Sequence, residues 1–261
     1  MRYCRLQTSQ GAQFAEIADR SGQLWIERLI PPFEEDSYAY FADQSFEPMP
    51  LSEAQLLPPV VPSKIICVGR NYREHAAELG NDVPAEPLIF FKPPSAIIGP
   101  GESIRIPALS QRVDFEGEIA IVIGETCSKL DADDDVWQYI RGYTIVNDVT
   151  ARDLQKKDGQ WTRAKGFDTF CPVGPLVTDE IDPAAGVRVT THLNGELRQD
   201  GNTRDFIFPI EHLMRYITAA ITLYPGDLIP TGTPSGVAPM RAGDRVEVAV
   251  EGVGILVNTV M

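Results

Sequence analysis

The sequence predicts an α+β, β-rich fold of rolled or sandwiched sheets with few helices, and three observations predict it. Short strand-like runs recur over 64–68, 88–91, 118–123, 142–146, 187–193 and 245–250. Two hairpin signals stand in the C-terminal third, one of them the dipeptide Asn194-Gly195 between Thr190-Thr191-His192-Leu193 and Glu196-Leu197. Helical periodicity is confined to a few short segments. Runs of strands with few helices between them favour packed sheets over a regular strand–helix alternation.

At 261 residues the chain can hold one large domain, or a domain with a small appendage. Residues 1–62 read as a small N-terminal domain and linker. This part is irregular, with apolar pieces such as Leu24-Trp25-Ile26 and a proline-rich close at Pro48-Met49-Pro50 and Leu57-Pro58-Pro59. The body, 63–261, opens with the strand 64–68, which ends at Gly69-Arg70-Asn71. Residues 72–79 then suit a short helix stopped at Gly80-Asn81. Longer helices are predicted over 135–141 and 209–223, where Ile210, Leu213, Met214, Ile217 and Ile221 keep helical spacing. Near the end, Arg245, Glu247, Ala249 and Glu251 alternate with Val246, Val248 and Val250. The chain then turns at Gly252 into Ile255-Leu256-Val257, a C-terminal hairpin.

The formal charge of −14 disfavours nucleic acid and anionic membranes as partners, because phosphate binding needs clustered Lys and Arg. An anionic substrate must therefore be held by local cations. No apolar run reaches the length of a membrane span and the N-terminus leads into no signal-peptide core, so a cytoplasmic chain is expected. The four cysteines, Cys4, Cys67, Cys127 and Cys171, form no C-x-x-C pair, which fits free thiols rather than a zinc knuckle. Cys67 reads as a core residue, and Cys171 as a nucleophile candidate without an evident activating neighbour. There is no P-loop, Rossmann glycine motif, H-E-x-x-H or G-x-S-x-G. Asp131, Asp133 and Asp135 start like a calcium loop but lack its glycine and closing glutamate, so they read as a helix N-terminus.

The chemistry concentrates in Val113-Asp114-Phe115-Glu116-Gly117-Glu118-Ile119 and the apolar run that follows. In a strand, Asp114, Glu116 and Glu118 share one face. Side chains two residues apart lie roughly 7 Å from each other, close enough for Glu116 and Glu118 to converge on a hard divalent cation that offsets their desolvation. A solvated edge strand is the alternative. Asp148, where the strand 142–146 runs into Asn147-Asp148, is a natural third ligand or else a turn residue, and Thr150-x-x-Asp153 resembles a helix cap.

His75 and Glu78 are three apart and share a helix face, the arrangement of a base whose tautomer a carboxylate fixes; a surface histidine is the alternative. Lys165, in Trp161-Thr162-Arg163-Ala164-Lys165-Gly166, is either solvated or a fixed positive charge for an anionic intermediate. The loop Thr231-Gly232-Thr233-Pro234-Ser235-Gly236 suits the cradling of a carboxylate, or is an ordinary connection. His192 and His212 read as structural.

Taken together, six motifs in order resemble the fumarylacetoacetate hydrolase family from about residue 64 to the C-terminus. They are Gly69-Arg70-Asn71-Tyr72 with His75 and Glu78, Phe91-Lys92-Pro93, Glu116-x-Glu118, Asn147-Asp148-x-Thr150-Ala151-Arg152-Asp153-x-Gln155, Lys165-Gly166-Phe167-Asp168 and Thr231-Gly232-Thr233-Pro234. The resemblance implies a mixed β-sandwich roll, Mg²⁺ or Mn²⁺ held by Glu116, Glu118 and Asp148, and a homodimer. It also implies a lid helix carrying His75 and Glu78. The implied substrate is a 2-oxo acid that chelates the cation, with Lys165 stabilising the enolate and Arg70, Arg152, Gln155 and Thr233 holding the substrate. The His75–Glu78 pair tilts the expectation toward hydrolysis of a C–C bond in an acylpyruvate such as fumarylpyruvate or acetylpyruvate. Oxaloacetate decarboxylation and isomerisation of a 2-hydroxydienedioate pass through the same kind of enolate and stay open. A non-catalytic binding protein is the remaining class.

Overall fold

Two packed sheets form the frame of the fold in the computed structural model, which describes residues 1–32, 46–78, 80 and 82–261. The larger sheet runs, edge to edge, Met49–Pro50, Gln23–Ile30, Gly11–Arg20, Arg2–Thr8, Cys171–Thr178, Ile140–Asn147, Gly117–Ile123, Leu228–Pro230, Ile65–Gly69 and Leu88–Lys92. The smaller runs Glu196–Asn202, Arg188–Leu193, Arg245–Val250, Gly254–Val260 and Ser103–Ile104. Most neighbours are antiparallel, with parallel pairs at Leu228↔Ile65, Cys171↔Ile97 and Thr259↔Ser103. The α+β, β-rich expectation holds: the α-helices among the described residues are Arg73–Glu78, Arg152–Asp158, Thr162–Lys165 and Ile210–Thr218. None is long and apolar enough to cross a membrane.

The strand Gly117–Ile123 is buried along its whole length. Ile119, Ile121 and Ile123 enter a core shared with Val189, Val248 and Leu256 of the smaller sheet. Ala120 and Val122 point the other way, into a cluster with Cys67, Val146, Cys171 and Val173. Each buried isoleucine contributes about 1.5–3 kcal/mol, so a one-residue slip, which would bring Glu118 into the first core, is strongly disfavoured. Register thus decides where the acid points.

Several expectations are corrected. Residues 113–123 are not one strand. Val113–Asp114 pairs with Thr150–Ala151, and Phe115 and Glu116 lie outside any strand before Gly117–Ile123 begins. The part read as irregular contains Arg2–Thr8, Gly11–Arg20 and Gln23–Ile30, joined to the larger sheet through Arg2↔Thr178. Ser21 and Gly22, both at positive φ, form the kind of two-residue turn that matches strand twist. Residues 33–45 of that part lie outside the described residues, as does 79, the last residue of the predicted helix 72–79.

The segment 135–141 gives only a 3₁₀ turn, Val136–Tyr139, capped by Asp135 accepting from Trp137 N. Ile140 then leaves it to pair with Ile123, because sheet pairing outweighs local helical spacing. Helix 209–223 is shorter than predicted, Ile210–Thr218. Thr150 is not a helix cap. Residue 151 occupies that position without a side-chain bond, while Thr150 Oγ1 donates to Asp148 O.

Candidate metal centre and active site

Glu116, Glu118 and Asp148 meet where two antiparallel strands are paired at Gly117↔Asn147. Asp148 N donates to Glu116 O at 2.8 Å and Glu116 N to Asn147 Oδ1 at 3.0 Å, which ties the two strand ends together. One ligand oxygen from each acid lies within 4.8 Å of the others, and all three residues are buried. The residue between the glutamates must be small. A Cβ at Gly117 would lie 2.2 Å from Thr191 Oγ1 and 2.8 Å from Val248 Cγ1, where the smaller sheet packs against it.

Three cations answer two of the three acids, Glu116 and Asp148. Lys165 Nζ donates to Glu116 Oε2 at 2.7 Å and to Asp148 Oδ2 at 2.5 Å. Lys92 Nζ donates to Asp148 Oδ1 at 2.6 Å and to Val149 O at 3.1 Å. Arg152 donates to Glu116 Oε1 at 2.5 Å, to Asp114 Oδ2 at 2.9 Å and to Gln155 Oε1 at 2.8 Å. Burial works to raise the Glu116 carboxyl, but Lys165 and Arg152, helped by His75, hold it well below the usual range. Burial likewise opposes charge on Lys165, while Asp148 and Glu116 raise its ammonium above the ordinary lysine value.

Glu118 differs from its neighbours. It accepts from Gly232 N at 2.8 Å, yet among the described residues no lysine or arginine pairs with it. Burial, and then the charges of Asp148 and Glu116, hold its carboxyl well above the usual range. A hard cation among these three carboxylates relieves that penalty, and an all-oxygen donor set suits Mg²⁺ or Mn²⁺ alike. The residues present therefore fit a divalent ion.

The acids open onto a cavity of about 180 Å³. Arg70, His75, Arg152, Gln155, Lys165 and Thr233 line it with them, so the structure gathers residues that the sequence singled out in five separated segments. Glu78 sits one step back: its Oε2 is 3.2 Å from His75 Nδ1, and its Oε1 accepts from Gly236 N at 3.0 Å. Arg70, at a φ of 56°, reaches over the Trp161 ring at 5.9 Å. His192 and His212 are not among the residues lining the cavity; His212 stacks between Phe208 and Tyr216. Cys171 is buried and its thiol is pushed up to about 12 by burial, which removes it as a nucleophile.

Sequence reading assigned no role to two contributors, Lys92 and Gln199. Lys92 was visible as a charged residue closing the apolar run Leu88-Ile89-Phe90-Phe91, an anomaly that a buried partner explains. Gln199 left no local signal, because its role arises only when the sheets meet. The loop 231–236 does cradle carboxylates, but those the structure shows are the protein's own: Gly232 N serves Glu118 and Gly236 N serves Glu78.

Residues 64–261 match the family model described as fumarylacetoacetate (FAA) hydrolase C-terminal. A solved structure described as 2-hydroxyhepta-2,4-diene-1,7-dioate isomerase from Mycobacterium marinum is 43% identical with a TM-score of 0.86, covering 100% of this chain and 98% of that one. A second, described as 5-carboxymethyl-2-hydroxymuconate delta-isomerase from Mycobacterium smegmatis, is 43% identical with a TM-score of 0.87 and the same coverage. Oxaloacetate tautomerase YisK of Bacillus subtilis is 41% identical over 224 residues, 80% of this chain and 74% of that protein.

Proposed function

The chain belongs to the fumarylacetoacetate hydrolase family of enzymes, and from that premise we propose that it moves a proton within a dicarboxylic 2-oxo acid or its enol, as a tautomerase or isomerase. Oxaloacetate and a 2-hydroxydienedioate are the substrates that the names of its relatives favour. One observation carries the reading. A buried imidazole, His75, and a buried ammonium, Lys165, line one small cavity beside three acids suited to a divalent ion. A shift of a proton between oxygen and carbon needs one acid–base group and a stabiliser of the enolate, and these supply both.

Glu116, Glu118 and Asp148 would hold a Mg²⁺ or Mn²⁺ ion, which would supply a Lewis acid for negative charge on the substrate. Lys165, which lines the cavity, adds a fixed positive charge for the enolate. His75 exchanges the proton at the substrate carbon, its tautomer set by Glu78. Arg152, Gln155, Thr233 and Arg70 orient the substrate, the local cations offsetting the chain's negative charge.

Hydrolysis of an acylpyruvate C–C bond is the second reading, and the His75–Glu78 pair supports it, since a carboxylate-backed imidazole also activates water. A homodimer and a cytoplasmic location complete the proposal. The edge strand Leu88–Lys92, with Leu88 and Phe91 exposed, supports a subunit contact.

Metal-stripped protein, resupplied with Mg²⁺ or Mn²⁺, is assayed by ultraviolet absorbance on enol-oxaloacetate, a 2-hydroxydienedioate, acetylpyruvate and fumarylpyruvate. Faster loss of the enol without release of pyruvate is expected. Stoichiometric pyruvate from the acylpyruvates, with the enol substrates left at their spontaneous rate, rejects the leading reading in favour of the second.

A further inference from the structure

A closed ring of hydrogen bonds stands behind the two glutamates. Gly117 N donates to Gln199 Oε1 at 3.0 Å, Gln199 Nε2 donates to Thr233 Oγ1 at 2.7 Å, and Thr233 Oγ1 donates to Gly117 O at 2.8 Å. Gln199 Nε2 also donates to Pro234 O at 2.7 Å. Gln199 belongs to Glu196–Asn202, an edge strand of the smaller sheet, and is fully buried.

Backbone groups settle every direction in this ring. A backbone N–H only donates, so the Gln199 atom facing Gly117 N is its carbonyl oxygen. A backbone carbonyl only accepts, so the atom facing Pro234 O is the amide nitrogen, and the Thr233 proton lies on the side of Gly117 O. With its proton committed and one lone pair taken by Gln199, the Thr233 hydroxyl keeps a single lone pair for the cavity that it lines.

We propose that Gln199 is a positioning residue that makes Thr233 a hydrogen-bond acceptor toward the ligand. The ligand group at Thr233 is then a donor. In the substrate class proposed above that donor is the hydroxyl of an enol or of a 2-hydroxydienoate, whereas a keto oxygen or carboxylate placed there would set lone pair against lone pair. The site thereby discriminates the 2-hydroxy form from the 2-oxo form, through a residue supplied by the opposite sheet. The inference rests on the reading of the cavity as a site for 2-oxo acids and their enols.

Binding tests it without turnover. Protein loaded with Mn²⁺ is titrated calorimetrically with malate, which carries a 2-hydroxyl donor, and with oxalate, which carries none. Gln199→Met and Thr233→Val are each expected to weaken malate about ten-fold, the worth of one buried hydrogen bond, and to leave oxalate unchanged. The double variant should bind malate no worse than the weaker single variant, since both remove the same interaction. Thr233→Ser, which keeps the hydroxyl, should restore malate binding. If Gln199→Met fails to fold, Gln199→Asn serves instead, because it keeps a polar amide that is one methylene too short to hold Thr233. Additive losses, equal weakening of both ligands, or malate binding that ignores Gln199 overturns the proposal. So does a wild type that binds oxalate but not malate. A wild type that binds neither defeats the 2-oxo acid reading itself, and this inference falls with it.

Discussion

Lys92 Nζ lies 2.6 Å from Asp148 Oδ1, and both side chains are almost wholly excluded from water. The contact leaves Asp148 Oδ2 for the Lys165 side of the site. Two lysines thus divide one carboxylate. Lys92→Met keeps the length of the side chain and removes its charge, leaving a buried acid with half its partners. The expected cost is about 3–5 kcal/mol of stability. Urea denaturation measures it, and calorimetry should show Mn²⁺ affinity falling roughly ten-fold or more. Wild-type values for both would show that Lys92 only fills space.

Arg152 is held by Asp114 and in turn donates to Glu116. Asp114→Asn removes the charge that orients the guanidinium without touching an acid of the triad. It should lower kcat/KM on the enol substrates by about 10–100-fold while Mn²⁺ affinity stays at the wild-type level. Loss of metal would instead place Asp114 among the ligands.

The contrast between Asp114 and Glu118 shows what could be read from the sequence. Alternation put Asp114, Glu116 and Glu118 on one face, and burial of Ile119, Ile121 and Ile123 on the other face bears that out for Glu118. The strand is interrupted at Phe115 and Glu116, where Val113–Asp114 pairs with Thr150–Ala151, and Asp114 pairs with Arg112 and Arg152 instead. The α+β sheet class was equally legible, because period-two runs and Asn194-Gly195 are local signals. What stayed hidden depends on contacts distant in sequence. Residues 1–30 gain their strand identity by pairing with each other and with Cys171–Thr178, and Gln199 gains its place only when the sheets pack.

Glu78 carries a pH dependence with a definite sign. Burial works to raise its carboxyl, but the hydrogen bond to His75 and the amide of Gly236 lower it below the ordinary value. A group lowered in the folded state contributes stability that is present above its unfolded value, near 4.3, and is lost as pH falls through the folded value. The stability advantage of wild type over Glu78→Gln should therefore be full at neutral pH and shrink as pH drops below that range. Denaturation of both proteins between neutral and strongly acidic pH measures it. An advantage that grows on acidification would reverse the assigned partners.

Glu118 separates a metal centre from a merely structural cluster of charges. Glu116 and Asp148 have lysine partners, so their burial is offset by the chain itself, while among the described residues Glu118 has no ion pair: the Gly232 amide donates to it, two like charges stand beside it, and Lys165 acts on it from a greater distance. Glu118→Gln should therefore leave the metal-free protein at least as stable as wild type, since it removes a poorly compensated acid. The same substitution should abolish stabilisation by the ion. Wild type at 100 times the dissociation constant should gain about 2.7 kcal/mol from Mn²⁺, and the variant next to nothing at that concentration. Thermal denaturation of both proteins, with and without Mn²⁺ after exhaustive chelation, reads the two effects independently. Equal stabilisation of both by the ion would remove Glu118 from the metal site. A large loss of stability in the metal-free variant would mean that the charge is compensated by the fold, and the argument for a cation at this place would lose its physical basis.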